Sequence, residues 1–404
     1  MSAPASVVIA GASAAGLSTA ETLRRQGFDG RITLIGEEEH PPYDRPPLSK
    51  EILSGSWPDE RVWLRDDAAL TALDLDLRLG VRAESLDTVA KVVRLSDQSL
   101  VSYDELVVAT GVRPRRLPGT GAVAGVHVLR TLADATALRA ALAGSPRLVI
   151  VGAGFLGAEV ASVARQAGAD VTLMSDIEAP LSDVLGPELG ELLINVHRDH
   201  GVKVVTGKRV EEILVSGGRA HGVRLAGGPV IEADAVLVAI GSVPNVEWLA
   251  GSGIEVGNGV LCDEYCQAGP GVWAAGDVAS WPHPGLGERI RIEHRTNAAE
   301  QGMAVARNIL AGEARAPFAP VPYIWSDQYD LKIQIYGLPR GADTFAVTEG
   351  SLADRKLVAL YGKDAQVRAA VGINMVRPVR AARALVATPT SWTAATAVEE
   401  GVAP

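Results

Sequence analysis

Residues 6–37, SVVIAGASAAGLSTAETLRRQGFDGRITLIGE, constrain this chain more than any other stretch. Residues 7–10 are an uninterrupted apolar run, the pattern of a parallel strand covered on both faces. The turn Gly11-Ala12-Ser13-Ala14-Ala15-Gly16 follows at once, and a helical pattern then runs to Arg25. Residues 32–35 are a second apolar run, with Glu37 just beyond it. Strand, small-residue turn, helix and strand within about 30 residues, with an acid about 20 residues after the turn, form a dinucleotide-binding arrangement. Small residues let backbone approach a pyrophosphate, and the helix N-terminus offers it free N–H groups and partial positive charge. The acid accepts hydrogen bonds from a ribose. Ser13 holds the middle position, where glycine is usual.

The arrangement then recurs. Residues 148–151 read as a strand, and Gly152-Ala153-Gly154-Phe155-Leu156-Gly157 matches GxGxxG without substitution. A helical pattern continues through Gln166, and residues 171–174 form the next strand. Two such units are an internal repeat, and the simplest physical reading is two dinucleotides on two domains.

Between the repeats lies HPPYDRPPLSKEIL, residues 40–53, whose prolines predict an extended, stiff, non-helical loop able to hold Arg45 and Lys50 over a ligand. Residues 92–95 and 105–109 read as strands; Ala109 ends the second, Thr110-Gly111 closes it, and Arg113-Pro114 marks an exit from the domain. Residues 235–240 form a strand ending in Gly241-Ser242-Val243-Pro244-Asn245, and residues 272–275 one ending in Gly276-Asp277. A helix is expected over 297–310, stopped by Gly312. Pro317, Pro320 and Pro322 form a linker; residues 331–336, 344–347, 356–361 and 366–373 then read as an antiparallel sheet. Residues 377–386 are expected to close the fold as a helix, and 387–404 to form a frayed tail.

At 404 residues, 47% hydrophobic and 21% charged, the composition is that of a globular protein of two or three domains. A net charge of -10 argues against a nucleic-acid partner. No apolar run is long enough to span a membrane, and the N-terminus lacks a signal-peptide pattern. Two cysteines, Cys262 and Cys266, make no disulfide framework and fit a reducing cytoplasm.

The motifs GASAAG with Glu37, PPYDRPPLSK, ELVVATGVRPR, GAGFLGAE, AIGSVPN, AAGDVA and IWSDQYDLKIQIYG stand in one order along residues 6–385. In that order the chain resembles the FAD-dependent ferredoxin reductases, with RPPLSK and WSDQYD the most telling. The resemblance implies an α/β, glutathione-reductase-like fold with two Rossmann-type dinucleotide-binding domains. FAD would be held by residues 1–111 and 242–318 and NAD(P)H by 112–241, with residues 319–404 a C-terminal α/β domain carrying the antiparallel sheet. It implies that NADH reduces a non-covalent FAD. Electrons then pass singly to an acidic [2Fe-2S]-type or other iron–sulfur ferredoxin serving a cytochrome P450 or ring-hydroxylating oxygenase. A monomer or weak homodimer is expected, with no nucleic-acid or membrane partner.

By the same resemblance, Gly11, Ser13, Ala14, Ala15, Gly16 and Glu37 match FAD pyrophosphate and ribose contacts, and Ala83 falls where backbone meets adenine. Arg45, Lys50, Thr110, Gly111 and Arg130 match further FAD contacts; Asp277, after Gly276, matches the aspartate on the ribitol chain. Glu293, His294 and Arg295 line the flavin, although Arg295 stands where members often carry an apolar or aromatic residue. Gly152, Gly154, Phe155, Leu156 and Gly157 match the NAD(P) phosphate turn. Lys50 and Glu159 are expected to pair beside the isoalloxazine ring and to serve hydride transfer by positioning and charge. Ser175, followed by Asp176, stands where members often have Glu; Asp176 would still bind a ribose hydroxyl and repel a 2′-phosphate, and no arginine lies within 175–179, so NADH is favoured. Trp325 matches a tryptophan near the flavin edge, and Arg289, Arg291, Arg295, Arg377, Arg380 and Arg383 are expected to form a basic docking patch for ferredoxin.

Two other readings stay open at this point. A disulfide reductase of the same fold would need a redox cysteine pair close behind the first repeat, where PPYDRPPLSK stands instead. A flavin-dependent interaction protein, as in the apoptosis-inducing factors, would need long insertions or a targeting segment.

Overall fold

The computed structural model describes residues 4–121 and 123–397. The chain divides into two compact units: residues 1–45, 60–113 and 242–320 form the first, and 46–59, 114–241 and 321–404 the second. Residues 46–59, expected with the first segment, thus cluster with the second unit.

In the first unit a six-stranded sheet runs in the order Gln267–Gly269, Val272–Ala274, Glu105–Val108, Ser6–Ala10, Arg31–Gly36, Leu75–Leu79. Ser6–Ala10 is parallel to both of its neighbours, with Val8 opposite Thr33 on one side and Leu106 on the other. Val7, Val8 and Ile9 are fully buried, as an apolar run between two covered faces requires. Helix Ala14–Arg25 packs closely on helix Arg295–Ala311: a Cβ on Gly302 would stand 2.4 Å from the Ala15 carbonyl oxygen, and the Thr19 hydroxyl donates to that oxygen at 2.8 Å.

In the second unit the repeat forms a five-stranded parallel sheet in the order Lys203–Val205, Asp170–Met174, Arg147–Val151, Ala235–Val238, Val126–His127. The C-terminal segment forms a five-stranded antiparallel sheet in the order Tyr323–Gln328, Leu331–Gly337, Gln366–Ile373, Lys356–Lys363, Thr344–Ser351. One face packs on helix Ser182–Asp199 through Leu185, Leu189, Leu193 and Val196, against Ile333, Leu357 and Val371. Helix Val376–Ala387 covers the other face through Val379, whose Cβ would lie 2.5 Å from a Cβ on Gly372.

Three sequence expectations change. Residues 46–49 are not extended: Pro46–Ser49 is a 3-10 turn leading into helix Glu51–Ser54. Proline is tolerated in a first helical turn, where its missing N–H has no intrahelical partner. The C-terminal sheet begins before residue 331: most of IWSDQYD lies in the edge strand Tyr323–Gln328, paired with Leu331–Gly337. Residues 387–397 are not a frayed tail: Ser391 bridges Gln366, the Val367 N–H donates to the Thr390 carbonyl at 2.9 Å, and Trp392–Thr396 is helical. The rest of that predicted tail, 398–404, lies outside the described residues.

Candidate active site

The first glycine turn is built by packing and left open for an anion. Gly11 has φ 130°, and a Cβ there would lie 2.0 Å from the Ala109 carbonyl oxygen; one on Gly16 would lie 1.9 Å from the Gly11 oxygen. Ser13 is the N-cap of helix Ala14–Arg25, yet its hydroxyl makes no capping bond, and the first turn holds no acid. The helix N–H groups at Ala14 and Ala15 and the Ser13 hydroxyl are therefore available to a pyrophosphate. Glu37 follows strand Arg31–Gly36 with 71% of its side chain exposed, and its ion pair with Arg82 is a loose 4.0 Å. The Val81 N–H bonds the Gly36 carbonyl at 3.0 Å, which brings Ala83 to the Glu37 end of the sheet.

Later residues of the first unit converge on this turn. A Cβ on Gly276 would come within 3.1 Å of the Ala15 Cβ, so the Gly276-Asp277 turn lies against the phosphate turn. The Gly276 N–H is held by Gln301 Oε1 at 2.9 Å. Thr110 and Asn245 bond reciprocally: the Thr110 hydroxyl donates to the Asn245 carbonyl at 2.8 Å, and the Asn245 amide donates to the Thr110 carbonyl at 2.9 Å. The Asn245 N–H bonds Gly111 as well, at 3.0 Å. On the first turn of helix Arg295–Ala311, both side-chain amide atoms of Asn297 are buried without a partner, as is Nδ1 of the N-cap His294. Burial pushes the His294 ring down to about 4, so it stays neutral. Buried polar atoms are normally bonded, and these orphans beside a dinucleotide turn fit a polar cofactor.

Other expected flavin residues are engaged internally. Arg45 pairs with Glu38 at 2.8 Å and donates to the Tyr43 hydroxyl at 2.9 Å. Arg295 is paired with Asp44, and Glu293 with Arg291 and Ser242.

The second glycine turn has the same construction. A Cβ on Gly152 would lie 2.2 Å from the Ala239 oxygen and one on Gly157 2.0 Å from the Gly152 oxygen, whereas a Cβ on Gly154 would enter open space. Packing requires the outer two; the middle one keeps the turn clear for a ligand. A cavity of about 890 Å³ opens there, lined by Gly152, Gly154, Phe155, Ser175, Asp176 and Gly241 among others. Leu156 is not in its wall and is partly exposed. Lys208 and Arg209, which the sequence reading missed, also line it. They lie more than 30 residues beyond Ser175 and reach it because strand Lys203–Val205 pairs with Asp170–Met174.

The expected pair is present. Lys50 Nζ lies 2.6 Å from Glu159 Oε2, with side-chain exposures of 12% and 7%. Glu159 also accepts from the Ser49 hydroxyl at 2.5 Å and from the Ser326 hydroxyl at 2.7 Å. RPPLSK and WSDQYD, remote in sequence, thus meet on one carboxylate of helix Phe155–Gln166. Both serines lie inside those motifs, but nothing in residue order pointed either of them at Glu159. Arg130 precedes Thr131, the N-cap of helix Leu132–Leu142, and its N–H bonds Asp134 at 3.0 Å.

The basic patch is reduced. The Arg289 guanidinium donates to the carbonyls of Cys262 and Ser280, and that of Arg291 to the Asp277 carbonyl at 2.9 Å, so both brace backbone. Arg377, Arg380 and Arg383 are exposed along helix Val376–Ala387, which has no acidic residue, at helical spacing. Trp325 is half-buried, stacked on Tyr323 with ring centroids 5.9 Å apart. Cys262 and Cys266 are buried and free. No described helix is long and apolar enough to cross a membrane.

Two glycine turns at the ends of parallel strands, each with a clear helix N-terminus, define a protein of the two-dinucleotide class. Residues 5–302 match the pyridine nucleotide-disulphide oxidoreductase family model and residues 323–403 the reductase C-terminal model. The chain is 37% identical to rhodocoxin reductase of Rhodococcus erythropolis, over 95% of this chain and 90% of that protein. It is 38% identical to the anthranilate 1,2-dioxygenase system ferredoxin–NAD(+) reductase component of Burkholderia cepacia, over 94% and 93%. The crystal structure of the covalent putidaredoxin reductase–putidaredoxin complex matches with a TM-score of 0.91 and 34% identity, over 96% of this chain and 94% of that one. The chain belongs to the FAD-dependent ferredoxin–NAD(+) reductase family, and is an FAD- and NADH-dependent oxidoreductase.

Proposed function

We propose that the first unit holds FAD on the Gly11–Gly16 turn, Glu37 and Asp277, and that NADH enters the cavity at Gly152–Phe155. The enzyme passes electrons from NADH to an iron–sulfur ferredoxin of a P450 or ring-hydroxylating oxygenase system, the activity of its relatives. The observation that carries this reading is the meeting of Ser49, Lys50 and Ser326 on Glu159. A buried carboxylate with one ammonium and two hydroxyl donors is fully compensated, whereas either charge alone would be costly there.

Held there, FAD would supply a hydride acceptor able to release electrons one at a time. Hydride transfer needs no side-chain base. Lys50 and Glu159 would contribute a fixed charge pair, with a role of positioning and electrostatics rather than proton transfer. Asn297 and the neutral His294 would bond polar groups of the cofactor through the atoms the protein leaves unpaired. A disulfide reductase is disfavoured because Cys262 and Cys266 are buried thiols with pKa values pushed up, Cys266 to about 12.

The ferredoxin we assign is acidic, and its docking face is the Arg377–Arg380–Arg383 stripe of the C-terminal segment, with Trp325 a separate aromatic contact. Free buried thiols favour a reducing cytoplasm, and we expect a monomer or weak homodimer. The test is NADH–cytochrome c reduction by the FAD-loaded protein with a panel of iron–sulfur ferredoxins. Ferredoxin-dependent turnover is expected. A preparation that stays colourless after incubation with excess FAD, or FAD-loaded protein that turns over with no ferredoxin, would overturn the reading.

A further inference from the structure

A continuous chain of hydrogen bonds runs from Glu159 through the second unit. Ser326 Oγ donates to Glu159 Oε1 at 2.7 Å, and Gln328 Nε2 to Ser326 Oγ at 3.2 Å. Gln328 Oε1 lies 3.2 Å from His197 Nε2, and His197 Nδ1 lies 3.1 Å from the Tyr329 hydroxyl. Gln328 is fully buried, and Ser326 and His197 are each 1% exposed. The three bonds from Glu159 to His197 are buried away from bulk water.

With the Ser326 proton on Glu159, every other proton in the chain has one place. Ser326 has one hydroxyl proton, which goes to Glu159, so it can only accept from Gln328. The Gln328 NH₂ must then face Ser326, and its carbonyl must face His197. His197 must present Nε2–H to that carbonyl, which leaves Nδ1 as the acceptor for the Tyr329 hydroxyl. Every donor thus points toward Glu159. Burial holds the His197 ring down to about 4, consistent with the neutral ring this order needs. The far end is anchored: the Tyr329 ring stacks on His200 at 3.7 Å, and the Tyr329 N–H donates to Ser162 Oγ at 2.6 Å. Ser162 stands three residues after Glu159 on the same helix, so both ends of the chain brace helix Phe155–Gln166.

We propose that His197 is a positioning residue for the Lys50–Glu159 pair, acting through Gln328 and Ser326 to hold the Glu159 carboxylate in place and aimed at Lys50. This rests on the reading that the pair serves hydride transfer to the flavin. His197 touches neither Lys50 nor Glu159. Its donor orients the Gln328 amide, which forces the Ser326 proton onto Glu159. Without that donor the amide can reverse, and Ser326 can turn its proton onto the Gln328 carbonyl. Glu159 would then lose a donor and Lys50 a fixed partner. Such an ordered donor chain polarises along its length, so its two ends are coupled although they do not touch.

The test uses the FAD-loaded full chain. ¹⁵N-histidine NMR reads the His197 tautomer, assigned by the signal lost in His197→Phe. The expected form at pH 7 is neutral with Nε2 protonated. A charged ring, or the Nδ1–H tautomer, overturns the inference without any functional variant. Stopped-flow reduction by NADH is then compared in His197→Phe, which removes the donor, and His197→Gln, which restores an N–H near the Nε2 position. His197→Phe should slow flavin reduction roughly tenfold, about the value of one weakened charge-assisted hydrogen bond. His197→Gln should recover most of that rate at equal FAD content. A purely structural role would lower the melting temperature of both variants together and leave the reduction rate per bound FAD unchanged, which overturns the inference. Wild-type reduction rates in Lys50→Ala and Glu159→Gln would overturn the underlying reading instead, even with the expected tautomer in place.

Discussion

The Lys208 backbone N–H donates to the Ser175 carbonyl at 3.2 Å, which places a lysine beside the residue where an acid commonly reads the adenosine ribose. The Ser175 hydroxyl accepts from the Ile177 N–H at 3.2 Å and shapes the turn that presents Asp176. Asp176, Lys208 and Arg209 all border the cavity, together with Asp183, Glu211 and Arg115, so charges of both signs face it.

Cofactor choice should follow those charges. NADH is expected to give the higher kcat/KM. Asp176→Ala should narrow the gap to NADPH by roughly tenfold, the size of one like-charge contact removed near the surface. Lys208→Ala and Arg209→Ala should widen it. Kinetics with both nucleotides at low salt measure the effect, and a better efficiency with NADPH in the wild type would refute it.

The Lys50–Glu159 pair makes a coupled prediction. Lys50→Ala and Glu159→Ala should each slow flavin reduction by NADH while FAD is retained. Each leaves an uncompensated buried charge, at a cost of about 3–5 kcal/mol in stability. Replacing both with apolar residues should cost less than the sum of the singles. A double-mutant cycle on unfolding free energy checks this, and additive losses would show that the two side chains do not interact.

Ferredoxin docking should depend on salt and on one helix. The KM for ferredoxin should rise with ionic strength, while reduction of FAD by NADH barely changes. Arg380→Glu and Arg383→Glu should raise that KM without changing the hydride step. Arg289→Glu and Arg291→Glu should instead lower the melting temperature, because their guanidinium groups hold backbone carbonyls. Turnover indifferent to salt and to the helix reversals would place the docking face elsewhere.

Acid should destabilise the protein in two windows. His197 and His294 have folded-state values held down to about 4 by burial, against about 6.5 unfolded. Between those values the unfolded chain binds more protons, so the stabilisation is full above about pH 6.5 and is lost as pH falls toward 4. The Arg147 guanidinium holds Asp234 down to about 2, so its contribution is lost below about pH 4. Unfolding free energy measured against pH should fall through the upper window in the wild type. A curve flat from pH 7 to 4.5 would contradict burial of two neutral rings.

Much of this protein was legible in residue order. Residues 7–10 and 148–151 are apolar without a break, and such runs followed by small-residue turns have few options but buried parallel strands feeding helix N-termini. The glycines at 11, 16, 152 and 157 are demanded by local backbone geometry, with added Cβ atoms falling near 2 Å from carbonyl oxygens. Local constraints of that kind are written in adjacent residues. Tertiary structure alone decided what those residues meet. RPPLSK read as a stiff extended loop because proline blocks a helix interior; its place at a first turn, where proline is accepted, depended on where Ser49 and Lys50 had to reach. Lys208 arrives at Ser175 by strand pairing across more than 30 residues. Arg289 and Arg383 carry the same charge in the sequence, and only packing turned one onto backbone carbonyls and left the other in solvent. Ser326 and Gln328 stood inside WSDQYD and His197 in no motif, and residue order joined none of them to Glu159, because a buried hydrogen-bond chain is defined by which donors lose water together, and that is a property of the folded chain.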